Sequence, residues 1–314
     1  MSRNNVMLSL STYWNSHRHD EDGMHMVYEA ILLGFDALEL GPCIDPALLP
    51  GFQKAYTGSK GSAKPFTRFS SVRNFVLAAD PEANQASCHF MSSDDSQRQR
   101  AIELSQRSID IAAELGGIPM VLTLGRTSIS DHSISLVALL QQGELYSKTY
   151  AQQKLALVQA REAIQTSTIG LVKKALDQLI PYAEKMGVRL ALESPDCYEY
   201  LPNEQEMALL LDEYDSPHLG YWHDFGHIQL KANLGLLDHR QQLEQMLPRL
   251  IGCNVHDVEW PAEDHCIPFQ GSVDFDQLIP LVPKNIPLVW KINPRRKSDD
   301  IKQALVTWKE KYGD

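Results

Sequence analysis

Short apolar runs alternate with longer helix-patterned stretches along this chain, and that alternation organises everything else. Val6–Tyr13 has the length and composition of a strand. Gly23–Leu33 carries helical spacing and stops at Gly34, a residue suited to the left-handed turn that closes a helix. Asp36–Leu40 is a second strand and Phe69–Val76 a third. Arg98–Leu115 is helical, with Ile102, Leu104, Ile109, Ile111 and Ala112 as apolar positions and Gly116-Gly117 as its stop. Pro119–Leu124 is strand four. Leu155–Met186 holds the longest helical pattern, ends at Gly187 and leads into strand five, Val188–Leu192.

The same rhythm continues to the C-terminus. Helix Glu204–Tyr214, strand Leu219–Trp222, helix Asp238–Leu247 and strand Ile251–Val255 follow in turn. A short helix Phe275–Leu281, an eighth strand Pro287–Ile292 and a closing helix Ser298–Tyr312 complete the series. Ser298, with Asp299 and Asp300, supplies a cap and negative charge at that last helix's start. Eight strands with helices between them over 314 residues predict a (β/α)₈ TIM barrel occupying residues 1–314 as one domain. The competing architecture, a doubly wound sheet, usually shows a glycine-rich phosphate turn after its first strand, and Ser11-Thr12-Tyr13-Trp14 is not one. Gly58-Ser59-Lys60-Gly61-Ser62 has the composition of a phosphate loop without its spacing, and is expected to be a solvated loop.

Two segments exceed an ordinary barrel connection, residues 41–68 after strand two and 127–150 after strand four. Both are expected as extended loops over the C-terminal mouth, as a lid or a contact in a homo-oligomer.

Composition narrows the class. Hydrophobic residues make up 43% and charged residues 22%, enough for a sizeable core. With 29 Lys and Arg against 40 Asp and Glu, the net charge is −11, which argues against nucleic acid or an anionic membrane as partner. The five cysteines form no C-x-x-C pair, and no apolar run approaches a membrane span. A cytoplasmic, soluble protein is the expectation.

Chemistry crowds the ends of strands five to eight. These read Leu192-Glu193-Ser194-Pro195, then Trp222-His223-Asp224-Phe225-Gly226-His227, then Asn254-Val255-His256-Asp257, then Trp290-Lys291-Ile292-Asn293-Pro294. An apolar strand body with a polar end, four times running, places a carboxylate, an Asp-x-x-His and a His-Asp around one point of the rim. Oxygen and imidazole together suit a divalent metal such as Mn²⁺, Co²⁺, Zn²⁺ or Mg²⁺. Each residue also has a plainer reading. Glu193 would be a surface carboxylate, Asp224 a turn residue, His227 a helix cap and Asp257 a group that orients a neighbour. His223 alternates away from Asp224 and is expected to face the helix layer. Trp14, Trp222 and Trp260 are candidates for apolar contact with a sugar face, with core or rim packing as the plainer reading of each.

The motifs resemble those of the xylose-isomerase-like TIM barrels, sugar (phosphate) isomerases and epimerases that also include inosose dehydratases and endonuclease IV. The resemblance rests on Gly34–Leu40, Val188–Ser194, Asp224–His227, His256-Asp257, Gly271–Phe275 and Trp290–Pro294, and spans nearly the whole chain. It implies metal ligands at Glu193, Asp224 and His256, a substrate or metal contact at His227, and a base at Glu193. The fourth ligand of that family, a glutamate after strand eight, falls on Lys291. A lysine there removes one negative charge and adds a positive one, so the divalent metal is in doubt. Lys291 is then an acid, base or electrostatic stabiliser, a Schiff-base former, or a structural ion pair. The histidine-rich arrangement of the nuclease branch is absent, since strands three and four offer Val72-Arg73-Asn74 and Thr123-Leu124-Gly125-Arg126. The resemblance implies proton transfer α to a carbonyl on a sugar or polyol, as an isomerase, epimerase or related lyase. The alternative is a non-catalytic or metal-free barrel that binds a sugar or a partner.

Overall fold

The computed structural model describes residues 6–19, 21–58, 68–77 and 90–313. Eight parallel strands close into a barrel in the order β1-β10-β7-β6-β5-β4-β3-β2. They are β1 (Met7–Ser11), β2 (Ala37–Leu40), β3 (Arg68–Arg73), β4 (Met120–Leu122), β5 (Leu190–Glu193), β6 (Leu219–Asp224), β7 (Leu250–Val255) and β10 (Pro287–Trp290). The other two strands, β8 (Asp257–Glu259) and β9 (Glu263–Cys266), pair antiparallel as a hairpin directly after β7. The (β/α)₈ architecture expected from the alternation is therefore the fold.

Helices pack outside the sheet. They are α1 (Gly23–Leu33), α2 (Leu49–Gly58), α3 (Asp95–Glu114), α4 (His132–Gln141), α5 (Lys148–Met186), α6 (Glu204–Glu213), α7 (Phe225–Asn233), α8 (His239–Met246), α9 (Phe275–Leu278) and α10 (Ser298–Tyr312). Gly34 and Gly187 both adopt the left-handed conformation and cap α1 and α5, as their positions predict. At α10 the capping position falls on Lys297, and Ser298 is the first helical residue, so the expected serine cap is corrected by one place. The two long connections are also corrected. Residues 41–68 contain α2, and 127–150 contain α4 and the start of α5, because Phe52, Leu136 and Leu140 each find an apolar surface to bury. Within the phosphate-like stretch, residues 59–62 lie outside the described residues, as does the rest of 59–67. Among the described residues no helix is long and apolar enough to cross a membrane.

Strand alternation sorts the side chains. Outward residues such as Leu190, Leu192, Tyr221 and Trp290 join the main core between sheet and helices. Inward, Val121, Ala191, Trp222, Ile251 and Val289 form a separate small cluster that plugs the barrel. Trp222 lies across Gly252, where an added Cβ would stand 2.1 Å from the indole ring, so only glycine admits it. One step further along the strands the inward residues turn polar, and that change of layer creates the site.

Candidate active site

The inward positions above the Trp222 plug are Glu39 on β2, Arg73 on β3, Glu193 on β5, Asp224 on β6, Asn254 on β7 and Lys291 just past β10. Asn254 ties them together. Its side-chain oxygen accepts from the Trp222 indole at 2.8 Å, which turns its amide to donate to Glu193 Oε1 at 2.6 Å and Asp224 Oδ2 at 2.8 Å. Arg73 donates to the other Glu193 oxygen and lies 4.0 Å from Glu39. The Lys291 ammonium stands 3.7 Å from Glu193 Oε1 and 3.8 Å from Asp224 Oδ2, between the two carboxylates. Asp224 also caps α7, accepting from the His227 amide at 3.0 Å.

Charge follows from this packing. Burial works to raise the Glu193 carboxyl, but Arg73 and then Lys291 outweigh it and hold it at about 2. Burial likewise opposes ionisation of Asp224, and His227, His256 and Lys291 carry it well below the usual carboxylate range. Glu39, wholly buried and 4.0 Å from its cation, is raised instead.

This donor set does not fit a divalent ion. Glu193, Asp224 and His227 do bring one potential ligand atom each within 4.8 Å of the others. All four oxygens of Glu193 and Asp224, however, already face protein donors. Two carboxylates opposite Arg73 and Lys291 are balanced, and a further two positive charges would be buried without compensation. His256 adds a third obstacle. Its Nδ1 accepts the backbone N–H of His265 at 3.0 Å, so in the neutral ring Nε2 carries the proton and is no ligand. That Nε2 lies 2.8 Å from Asp224 Oδ1, a close approach off the axis of a hydrogen bond.

A second cluster stands beside the first, where His227, His256 and His265 each bring a ring nitrogen within 4.8 Å of the others. Gly226 lets this happen, since a Cβ there would meet His256 Cε1 at 1.9 Å. His227 Nδ1 is 2.9 Å from the Ser194 carbonyl, which only accepts, so Nδ1 holds the proton and Nε2 keeps a lone pair. His265 Nδ1 lies 2.7 Å from Asp264 Oδ2, an ion-pair distance. Burial presses His265 down to about 3, so the ring is neutral near pH 7.

The structure thus brings Glu193, Asp224, His227, His256 and Lys291 to one mouth. It leaves two of the three tryptophans out. Trp222 is 0% and Trp14 1% exposed, and neither has a surface on which a sugar could lie. Trp222 plugs the barrel, while Trp14 donates to the Arg296 carbonyl and is covered by Arg18. Trp260 alone is open, at 54%, in the turn between β8 and β9. Asp257 does not orient the site; it accepts from Val258, Gly271 and Val273 amides and fastens the hairpin to the following segment. His223 faces the helix layer as expected, hydrogen-bonded to Tyr221 and His239. The sequence reading assigned no site role to Arg73, Asn254, Glu39 or His265. Arg73 and Glu39 were detectable as charged residues at inward strand ends; His265 sits in a hairpin with no such signal.

Residues 27–285 match the family described as Xylose isomerase-like TIM barrel. The chain is 26% identical over 201 residues to the uncharacterized protein y4fM of Sinorhizobium fredii (strain NBRC 101917 / NGR234), covering 63% of this chain and 53% of that one. It therefore spans about half the length of this relative. Among solved structures, a D-tagatose 3-epimerase-like protein superposes with a TM-score of 0.67 at 16% identity, covering 97% of both chains. The apo form of 3-keto-D-glucoside 4-epimerase, YcjR, from E. coli gives 0.64 at 14% identity over 97% of this chain and 99% of its own. D-allulose 3-epimerase from Methylomonas sp. in complex with D-allulose gives 0.66 at 15% identity over 98% of each. At these identities the likeness is one of fold. The extent of the family match nevertheless decides the classification: this chain belongs to the xylose isomerase-like TIM barrel family.

Proposed function

We propose that this chain is a sugar or polyol isomerase, epimerase or related lyase that moves a proton α to a carbonyl. One observation carries the reading. At the mouth of the barrel, an ammonium is held between two buried carboxylates, facing the opening rather than sealed beneath it, with 13% of the Lys291 side chain exposed. Abstraction of a proton α to a carbonyl puts negative charge on the carbonyl oxygen. A fixed cation placed there stabilises that charge more than it stabilises the neutral ketone. Glu193 and Asp224 hold the lysine in place, with Asn254 bracing both carboxylates, and His227 offers a hydrogen bond for a hydroxyl group. The printed names of the structural neighbours, three of them sugar epimerases or epimerase-like, support the substrate class. In this reading Lys291 supplies the positive charge that a divalent metal supplies elsewhere in the family.

The test is a panel of ketoses, aldoses and ketopolyols incubated with the protein in D₂O and followed by proton NMR. Loss of an α-carbon proton signal with at least one member is the expected outcome, slowed about 10²–10³-fold in Lys291→Met. A panel in which one member binds and none exchanges would instead identify a barrel that holds a sugar without turning it over.

A further inference from the structure

We propose that Asn254 is a positioning residue for Lys291: its amide fills the two carboxylate oxygens that the lysine would otherwise bind, so the ammonium keeps its N–H groups for a ligand. The inference rests on the proton-transfer reading above and names what keeps its cation available.

The distances carry it. Asn254 Nδ2 and Lys291 Nζ face the same two oxygens, Glu193 Oε1 and Asp224 Oδ2. The amide meets them at 2.6 and 2.8 Å, whereas the ammonium stands back at 3.7 and 3.8 Å, beyond hydrogen-bond reach. An ammonium beside two free carboxylates closes to about 2.8 Å, because a charge-assisted hydrogen bond is the stronger one. Here that approach is blocked, and among the described residues these two long contacts are the only ion pairs of Lys291. Its side chain keeps 13% exposure at the mouth.

The carboxylates cannot turn to meet the lysine. Glu193 Oε2 accepts from Arg73, and Asp224 Oδ1 accepts from the His227 backbone amide at 3.0 Å. Glu193, Asp224 and Asn254 are all buried, so a bond broken by rotation would find no water in its place. The amide cannot turn either. The Trp222 indole only donates, so it takes Asn254 Oδ1 at 2.8 Å and leaves both amide hydrogens to the carboxylates. Trp222 is itself wedged across Gly252, and the β6–β7 register sets Asn254 opposite Asp224. Restraint thus runs from the plug, through one amide, to two carboxylates and the cation above them. The residue type follows from this. Aspartate has the same shape but no donor, and leucine has neither donor nor acceptor; an amide supplies one acceptor and two donors at this length. Asn254 touches no reacting atom. It leaves the lysine's N–H groups to meet a carbonyl oxygen as negative charge develops there.

The experiment uses Asn254→Leu and Asn254→Ala in the full chain, read by crystallography and by deuterium exchange into the sugar that the unmodified protein exchanges. In both variants Lys291 Nζ should close to within about 3.2 Å of Glu193 or Asp224. Exchange should fall about 10–10²-fold, mainly in kcat, because the ammonium's hydrogens are then spent on the carboxylates. Combining Asn254→Leu with Lys291→Met should leave exchange within about threefold of Lys291→Met alone, since both changes remove one contribution. A residue that only supports the fold would slow the double variant further, and that additivity would overturn the proposal. So would exchange within about twofold of the parent, or an ammonium that stays beyond about 3.5 Å from both carboxylates in the variants. The unmodified protein supplies a test that no folding failure can remove: a crystal structure with Nζ hydrogen-bonded to Glu193 or Asp224 would show that Asn254 keeps nothing apart. If the parent exchanges no sugar, the proton-transfer reading fails, and the distances in parent and variants still decide whether Asn254 holds the lysine off.

Discussion

Two sets of buried histidines lie within one turn of each other in this barrel, on opposite sides of strand β6, and they are built differently. In the helix layer, the Tyr221 hydroxyl donates to His223 Nδ1 at 3.0 Å, His223 Nε2 meets His239 Nε2 at 3.1 Å, and His239 Nδ1 meets the Gln229 side-chain oxygen at 2.9 Å. That oxygen only accepts, so every proton in the chain is assigned and every ring nitrogen has a partner. At the mouth, His227 has its Nδ1 proton assigned by the Ser194 carbonyl at 2.9 Å, and among the described residues its Nε2 meets no donor. Residue type is the same in the two places, and His223, His239 and His227 are all buried. What separates a histidine that holds the fold together from one that can act on a ligand is a lone pair left over after the local hydrogen bonds are made.

The comparison can be broken or sharpened at several points. The largest change is expected from Lys291→Glu, which removes a cation and adds an anion between Glu193 and Asp224. The purified variant should carry about one Mn, Co or Zn per chain by elemental analysis, because three carboxylates then face one another. The parent should carry none above trace, and stoichiometric metal there would overturn the argument that its donors are spent. Next comes Arg73→Ala, which strands the buried Glu193 charge and should cost about 3–5 kcal/mol in urea denaturation. His223→Ala should cost roughly 2–4 kcal/mol, since it leaves the Tyr221 hydroxyl and His239 Nε2 unpartnered and opens a small cavity. His265→Gln should cost under about 1 kcal/mol, because among the described residues neither of its ring nitrogens makes a hydrogen bond. Equal losses for the two histidines would erase the distinction. A last effect appears only on acidification. Burial depresses His239 from 6.5 to about 3, so the unfolded chain binds a proton in that interval that the folded chain does not. Its contribution to stability is therefore complete above pH 6.5 and declines as pH falls toward 3, by about 1.4 kcal/mol per pH unit for one proton. His239→Gln should flatten that slope.

The barrel was legible from local signals because its strands and helices announce themselves by apolar period and glycine stops, as at Gly34 and Gly187. The acid side of the mouth was legible for a related reason, since Glu193, Asp224 and Lys291 each follow an apolar strand body. Its partners were less so. Arg73 drew notice only as a position lacking a histidine, because nothing local tells that a strand-three side chain reaches across the barrel to strand five. The β8–β9 hairpin was not read at all. Asp257 to Cys266 is dense in charged residues and lacks the alternation that marks a strand, and its pairing depends on Asp257 gripping the Gly271–Val273 backbone. His265 went unseen with it. Trp14 and Trp222 carried both readings because an aromatic near a strand end serves a plug as well as it serves a sugar, and only burial tells the two apart.

Asp224 holds two posts at once, since one oxygen starts helix α7 while the other faces Asn254 and Lys291. Its length is therefore fixed by the backbone, and only its charge is free: asparagine would still begin the helix, whereas glutamate would overshoot the His227 amide. Lys291 has no such second post. Its side chain anchors no helix, and its backbone N–H simply continues the strand toward Val255. A barrel wired in this way can have its chemistry rewritten at strand eight with little penalty to folding, while strand six resists revision.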